Sequence, residues 1–145
     1  MLSLRERKAE MKRTEHRALP SRADDVDAFF AGYPEAVRET ASAARALIRG
    51  TFPDANEMLD RSARVVGYGF GTRYTETICT IILSKSGVKL GIVDGAMLPD
   101  PYRLLEGSGK RHKYVVLSTP ADVRKRGVLP LLEAAAADRR SRRKK

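Results

Sequence analysis

The sequence predicts an α+β fold: a mainly antiparallel sheet of about five strands, with N- and C-terminal helices packed on one of its faces. Three observations predict it. Helix-period apolar patterns stand towards the two ends of the chain, and period-two patterns stand between them. Lys85-Ser86-Gly87 is short enough to turn one strand back on the next. Finally, Val88 to Leu117 joins two strands through a connection rich in Pro and Gly rather than through a crossover helix.

Taken in order, Met1 to Arg22 alternates charges without an apolar stripe, which predicts a solvated basic arm at 1–22 ended by Pro20. The domain spans 23–137. Asp24 and Asp25 are N-terminal capping types ahead of Val26, Phe29 and Phe30, and Gly32-Tyr33-Pro34 makes a corner. Val37, Ala41, Ala44, Leu47 and Ile48 recur at the spacing of one buried helix face, which Gly50 ends. Glu57 to Asp60 is expected as a first edge strand. In Gly67 to Gly71 the alternation sets Tyr68 and Phe70 on one face and glycines on the other, as where another element comes close.

Thr75 to Leu83 is rich in β-branched residues and reads as a central strand. Val88, Leu90 and Ile92 alternate with Lys89 and Gly91, giving the next strand one covered face. Asp94-Gly95 breaks it. Beyond, Asp100 can cap a single helical turn with Pro101 at its first position and Gly107 as its stop, before a last strand at Tyr114 to Leu117. Thr119, Pro120 and Asp122 then open a final helical region, interrupted by Gly127 and restarted at Pro130. Residues 138–145 are expected as a basic tail.

The formal charge of +10 divides unevenly. Residues 1–22 carry seven Lys or Arg against three Glu, and 138–145 carry six against Asp138, leaving 15 basic and 14 acidic residues between them. The excess therefore sits in the two tails, where it favours weak, non-specific contact with polyanions such as nucleic acid. At 145 residues the chain buries roughly 70% of its unfolded surface without a disulfide or a structural metal. The single cysteine, Cys79, lies in an apolar strand, and no apolar run follows the N-terminal charges. A cytoplasmic protein without membrane insertion is expected.

The connection carries a family likeness. Val88, Leu90, Gly91, Ile92, Gly95, Ala96, Leu98, Asp100, Pro101, Leu104, Leu105, Glu106, Gly107, Gly109 and Lys110 stand in the register of a run found in YdhG-like domains. The chain resembles that family of unknown function, whose fold is related to frataxin, from about Val26 to Ala137. Where the family tends to place Arg-His ahead of the last strand, this chain has Lys113-Tyr114. The resemblance implies two things: the α+β fold, and, through an iron-chaperone branch, an acidic surface. The nearest equivalents of that surface are Asp24, Asp25, Asp27, Glu35 and Glu39.

Catalysis finds no constellation. Gly107-Ser108-Gly109-Lys110 lacks the earlier glycine and the following Ser or Thr of a P-loop, since Leu104 and Arg111 stand there. Backbone amides at its glycine turn, with Lys110, Arg111 and Lys113, instead suit one anionic group. The expectation is a non-enzymatic binding domain for an anionic small ligand or a protein partner, with its site around the 94–113 connection. Lys110, Arg111 and Lys113 supply charge, and Asp100 and Glu106 shape the site. The alternatives are an intracellular iron chaperone of frataxin type, with iron as the only cofactor considered, and a nucleic-acid accessory protein acting through its tails.

Overall fold

The computed structural model describes residues 21–71 and 73–143. Three helices and six strands follow the order α1 (Ala23–Ala31), α2 (Glu35–Thr51), β1 (Asn56–Asp60), β2 (Val65–Gly69), β3 (Thr77–Ser84), β4 (Gly87–Ile92), β5 (Leu105–Glu106), β6 (Lys113–Leu117) and α3 (Val128–Arg143). The sheet runs β1-β2-β3-β4-β6-β5, and every neighbouring pair is antiparallel. The α+β class is as expected. The extra strand is β5, a two-residue edge that the chain lays down before it turns back into β6.

A helical turn leading to Gly107 was expected where β5 lies, and the Asp100 carboxylate explains the difference. It accepts the amides of Leu104 and Leu105, each at 2.9 Å, and Arg103 takes a left-handed conformation at φ 52°. The turn after Pro101 therefore cannot propagate as a helix, and Leu105 pairs with Val115 instead.

Alternation decides the faces of the sheet. Val66, Ile81, Leu90 and Val115 lie side by side across four strands and are all buried. They join one core with Val26, Phe30, Val37, Ala41, Ala44 and Ile48 of the first two helices and Val128, Leu132 and Ala135 of α3. The opposite row, Gly67, Thr80, Gly91 and Tyr114, is flanked by exposed Lys89 and Val116. Lys89 Nζ sits 4.4 Å from the Tyr114 ring centroid on this side. Cys79 is fully buried in the core, and burial pushes its thiol up to about 12, so it is a packing residue rather than a nucleophile.

The close approach expected of the glycines at 67, 69 and 71 falls on two of the three. A Cβ on Gly69 would meet the Glu76 carbonyl oxygen at 2.4 Å, and one on Gly71 would overlap the Glu76 carboxylate. Gly67 meets only ordinary contacts, the nearest at 3.7 Å. The register shift between Tyr68 and Gly69 accompanies the crowding.

Ahead of α3, a 3-10 turn at Pro120–Arg124 begins as its residue types suggest. Asp122 accepts the backbone N–H groups of Ser118 (2.7 Å) and Thr119 (3.2 Å). These bonds, the Ser118 amide above all, hold its carboxyl below the ordinary carboxylate value. A lowered folded-state pKa means that the contribution is complete above the ordinary carboxylate range and is lost as pH falls through the lower folded value. Asp122→Asn is expected to cost about 1 kcal/mol at neutral pH and to lose part of the acid-side slope. A thermal melt series from about pH 6 to about pH 2 checks it; parallel profiles for both proteins would count against this role.

The final helix passes the position expected to end the domain. It continues through Arg143, so residues 138–143 are helical rather than a free tail. Arg139 Nη1 donates to the Thr75 carbonyl at 2.9 Å, and the Arg140 guanidinium lies 4.5 Å from the Phe70 ring centroid. Tertiary contacts with the sheet end let the helix extend where charge composition alone suggests solvation. No described helix is long and apolar enough to cross a membrane. The arm expected at 1–22 lies outside the described residues as far as position 20.

Candidate functional site

Asp94 is the centre of the 94–113 connection. It follows β4 in a left-handed conformation, φ 57°, which Asp tolerates better than most residues. Its side chain has no solvent exposure. Arg111 Nε approaches one carboxylate oxygen at 2.8 Å, and Arg139 Nη2, arriving from α3, approaches the other at 3.1 Å. One buried negative charge thus faces two guanidiniums. The two arginines differ in setting: the Arg139 side chain is 15% exposed and that of Arg111 62%. Arg139 acts as a tether from the helix. Arg111 keeps most of its surface in water.

The basic loop is pinned on both sides. The Asp94 amide donates to His112 Nδ1 at 3.2 Å, and the Ala96 amide to the Arg111 carbonyl at 2.9 Å. An accepting Nδ1 leaves the ring N–H of the neutral imidazole on Nε2. Lys113 Nζ donates to the Gly107 carbonyl across the base of the loop. Between these fixings Ser108, Gly109, Lys110, Arg111 and His112 are exposed.

The five residues expected to form the site have separate positions. Lys110 and Arg111 are exposed neighbours on the loop. Lys113 is half-buried and holds the loop closed, and Asp100 is engaged in shaping the preceding turn. Glu106 is exposed on β5 opposite Tyr114. Composition could not find Asp94 or Arg139, because their importance comes from burial and a contact 45 positions apart in the chain. The sequence groups Asp94 with Asp100 and Glu106 on one connection, carboxylates that together suit a metal or a proton transfer, and nothing in it marks Arg139.

The acidic residues of the iron reading are all exposed on α1 and α2. Asp25 accepts the Arg22 amide at 3.4 Å, half of a capping box, and Asp27 accepts Arg45 Nη1 at 2.6 Å. Among the described residues no three His, Cys, Asp or Glu side chains come together as a metal site requires.

Arg45 belongs to a second buried cluster. Its Nε and Nη2 donate to the two oxygens of Glu57, each at 2.8 Å, and Tyr68 donates its hydroxyl to Glu57 Oε2 at 2.6 Å. Burial, then the Glu57 carboxylate, raises the Tyr68 phenol well above its ordinary value; the Glu57 hydrogen bond raises the Arg45 guanidinium. Every partner is satisfied internally, which marks a structural network rather than a reactive one. A cleft of about 210 Å³ beside it is lined by Ser21, Arg49, Phe52, Asn56 and Glu57. A wider one of about 340 Å³ lies between Val37 and Thr40 of α2 and the ends of β3, β4 and β6. Neither is lined by residues 94–113.

Comparison with protein-family models, curated proteins and solved structures finds no match to this chain.

Proposed function

We propose that this is a non-enzymatic binding domain of YdhG-like character whose 107–113 loop holds a small anionic group at the surface. One observation carries the reading: two guanidiniums converge on the single buried charge of Asp94, leaving Arg111 exposed beside Lys110. Arg111 uses Nε on Asp94, which leaves its two terminal nitrogens for the pairing that a phosphate or carboxylate offers. Lys110 adds a mobile charge alongside. Because the loop is already braced by His112, Lys113 and Asp94, little ordering entropy opposes capture.

Inorganic phosphate is the simplest probe. Titration calorimetry and thermal shift at low ionic strength are expected to show binding by the wild type. Lys110→Ala should weaken it several-fold. Arg111→Lys should weaken it more, since a point charge cannot pair through two parallel bonds. Equal responses from all three proteins, or none from the wild type, would retire the site.

A further inference from the structure

Segments far apart in the chain bring their cations to one end of the sheet. That end holds the close of β2, the start of β3, the close of β4 and the start of β6. The 107–113 loop leads into it, and the turn at 70–76 spans it between β2 and β3. Arg139 of α3 joins the two, reaching Asp94 at 3.1 Å and the Thr75 carbonyl at 2.9 Å. Arg111 and Arg139 share that one carboxylate, so the basic run that closes the sequence is anchored beside the anion loop.

Arg73, Lys110, Arg111 and Arg140 are exposed here, and the chain continues with Arg142, Arg143, Lys144 and Lys145. Most carboxylates at this end are occupied. Those of Asp94 and Asp100 are bonded within the 94–113 connection or to Arg139. Glu76 is half-buried against Gly71, and Asp138 is half-buried and engaged. Asp54 and Arg49 flank Phe52, whose ring meets that of Phe70, and they offset one another. Glu106 and Glu133, the latter two helical turns back from Arg140, remain exposed, and the cations outnumber them. We propose that the 107–113 loop, the 70–76 turn and the last turns of α3 form a contact surface for duplex nucleic acid, bound through its phosphates without regard to sequence. The surface rests on the loop's capture of an anionic group and takes that group from a nucleic-acid backbone.

Three features select a run of phosphates. Guanidiniums predominate, and their planar forks match phosphate oxygens in pairs. From β2 to β6 the end is three strand spacings wide, roughly 14 Å, which is enough to meet more than one phosphate of a strand. Met97 is the large apolar side chain exposed on the connection, too little for the apolar centre of a protein interface. Duplex is favoured over single strand because base stacking has no platform here. Among the described residues the exposed Phe or Tyr is Tyr102, which lies against Gly127 at the other end of α3.

The test uses the full chain and labelled DNA duplexes of two unrelated sequences, read by fluorescence anisotropy from about 25 to about 200 mM salt. Wild type is expected to bind both equally, with a log–log salt slope of about −4 or steeper. Lys110→Ala and Arg140→Ala should each weaken binding several-fold and reduce the slope by about one, the loss of one phosphate contact. Lys85→Ala, in the exposed hairpin at the opposite end of the sheet, should leave the slope unchanged. Unchanged melting temperatures verify the fold of each variant. Absent duplex binding by wild type overturns the proposal, and so does a slope that survives both Lys110→Ala and Arg140→Ala, which would mean binding by free tails. Tighter binding of a single strand of equal length overturns it too, as do phosphatidylserine vesicles that bind as well as duplex and are equally weakened by Lys110→Ala. Arg140→Ala should leave the calorimetric response to inorganic phosphate intact. Phosphate capture can therefore succeed where duplex binding fails, and a wild type that ignores phosphate retires the loop site itself.

Discussion

Arg45→Ala is expected to be among the most damaging single substitutions in this domain, costing about 3–5 kcal/mol. The side chains of Arg45 and Glu57 are 11% and 10% exposed, so their ion pair lies largely out of water. Removing the guanidinium deletes both bonds to the Glu57 carboxylate and leaves Tyr68 as its remaining side-chain hydrogen-bond partner. The cost is mainly that of stranding a charge, more than of losing an attraction. Asp27, whose side chain is 67% exposed, should matter far less: Asp27→Ala is expected to cost under about 1 kcal/mol. Tyr68→Phe should fall between them, since it removes one buried hydrogen bond and keeps the ring. Urea unfolding with unchanged slope is the measurement. An Arg45→Ala protein within about 1 kcal/mol of wild type would show that Glu57 is not buried as described.

The second large effect is expected at Asp94. Asn in its place keeps the size of the side chain and tolerates the left-handed backbone, so Asp94→Asn isolates the charge. Arg139 would then lose its carboxylate while its Nε, already buried without a hydrogen-bond partner among the described residues, stays desolvated. A loss of about 3 kcal/mol follows. Arg139→Gln should cost nearly as much. Arg111→Gln, at a mostly exposed position, should cost about 1 kcal/mol or less. If Arg111→Gln proved as costly as Asp94→Asn, the division into a tether and a presenting arginine would be wrong. The same contacts bear on any truncation: removing residues 138–145 takes away Arg139, so lost binding after that deletion would not isolate a tail effect.

Much of the architecture was legible because each element's signal is local. The three-and-four spacing from Val37 to Ile48 gave α2, and the alternation through Val88, Leu90 and Ile92 gave β4 with its covered face. Lys85-Ser86-Gly87 implied the β3–β4 hairpin. Arg45 was open to the same reasoning: it lies four residues after Ala41 and three before Ile48, inside the buried stripe. A charged residue on an apolar stripe is a request for a partner. Its partner, Glu57, is on a strand, so the pattern could raise the question without answering it.

Periodicity and turn chemistry by themselves determined the α+β class, the antiparallel hairpins and the faces of most elements, because those depend on neighbours a few residues away. Only the tertiary structure decided that Asp94 is buried and that α3 carries Arg139 back to it. Each of these is a meeting of segments distant in the chain. What a side chain is worth there depends on the water and charge around it, and that environment exists only once the segments have packed.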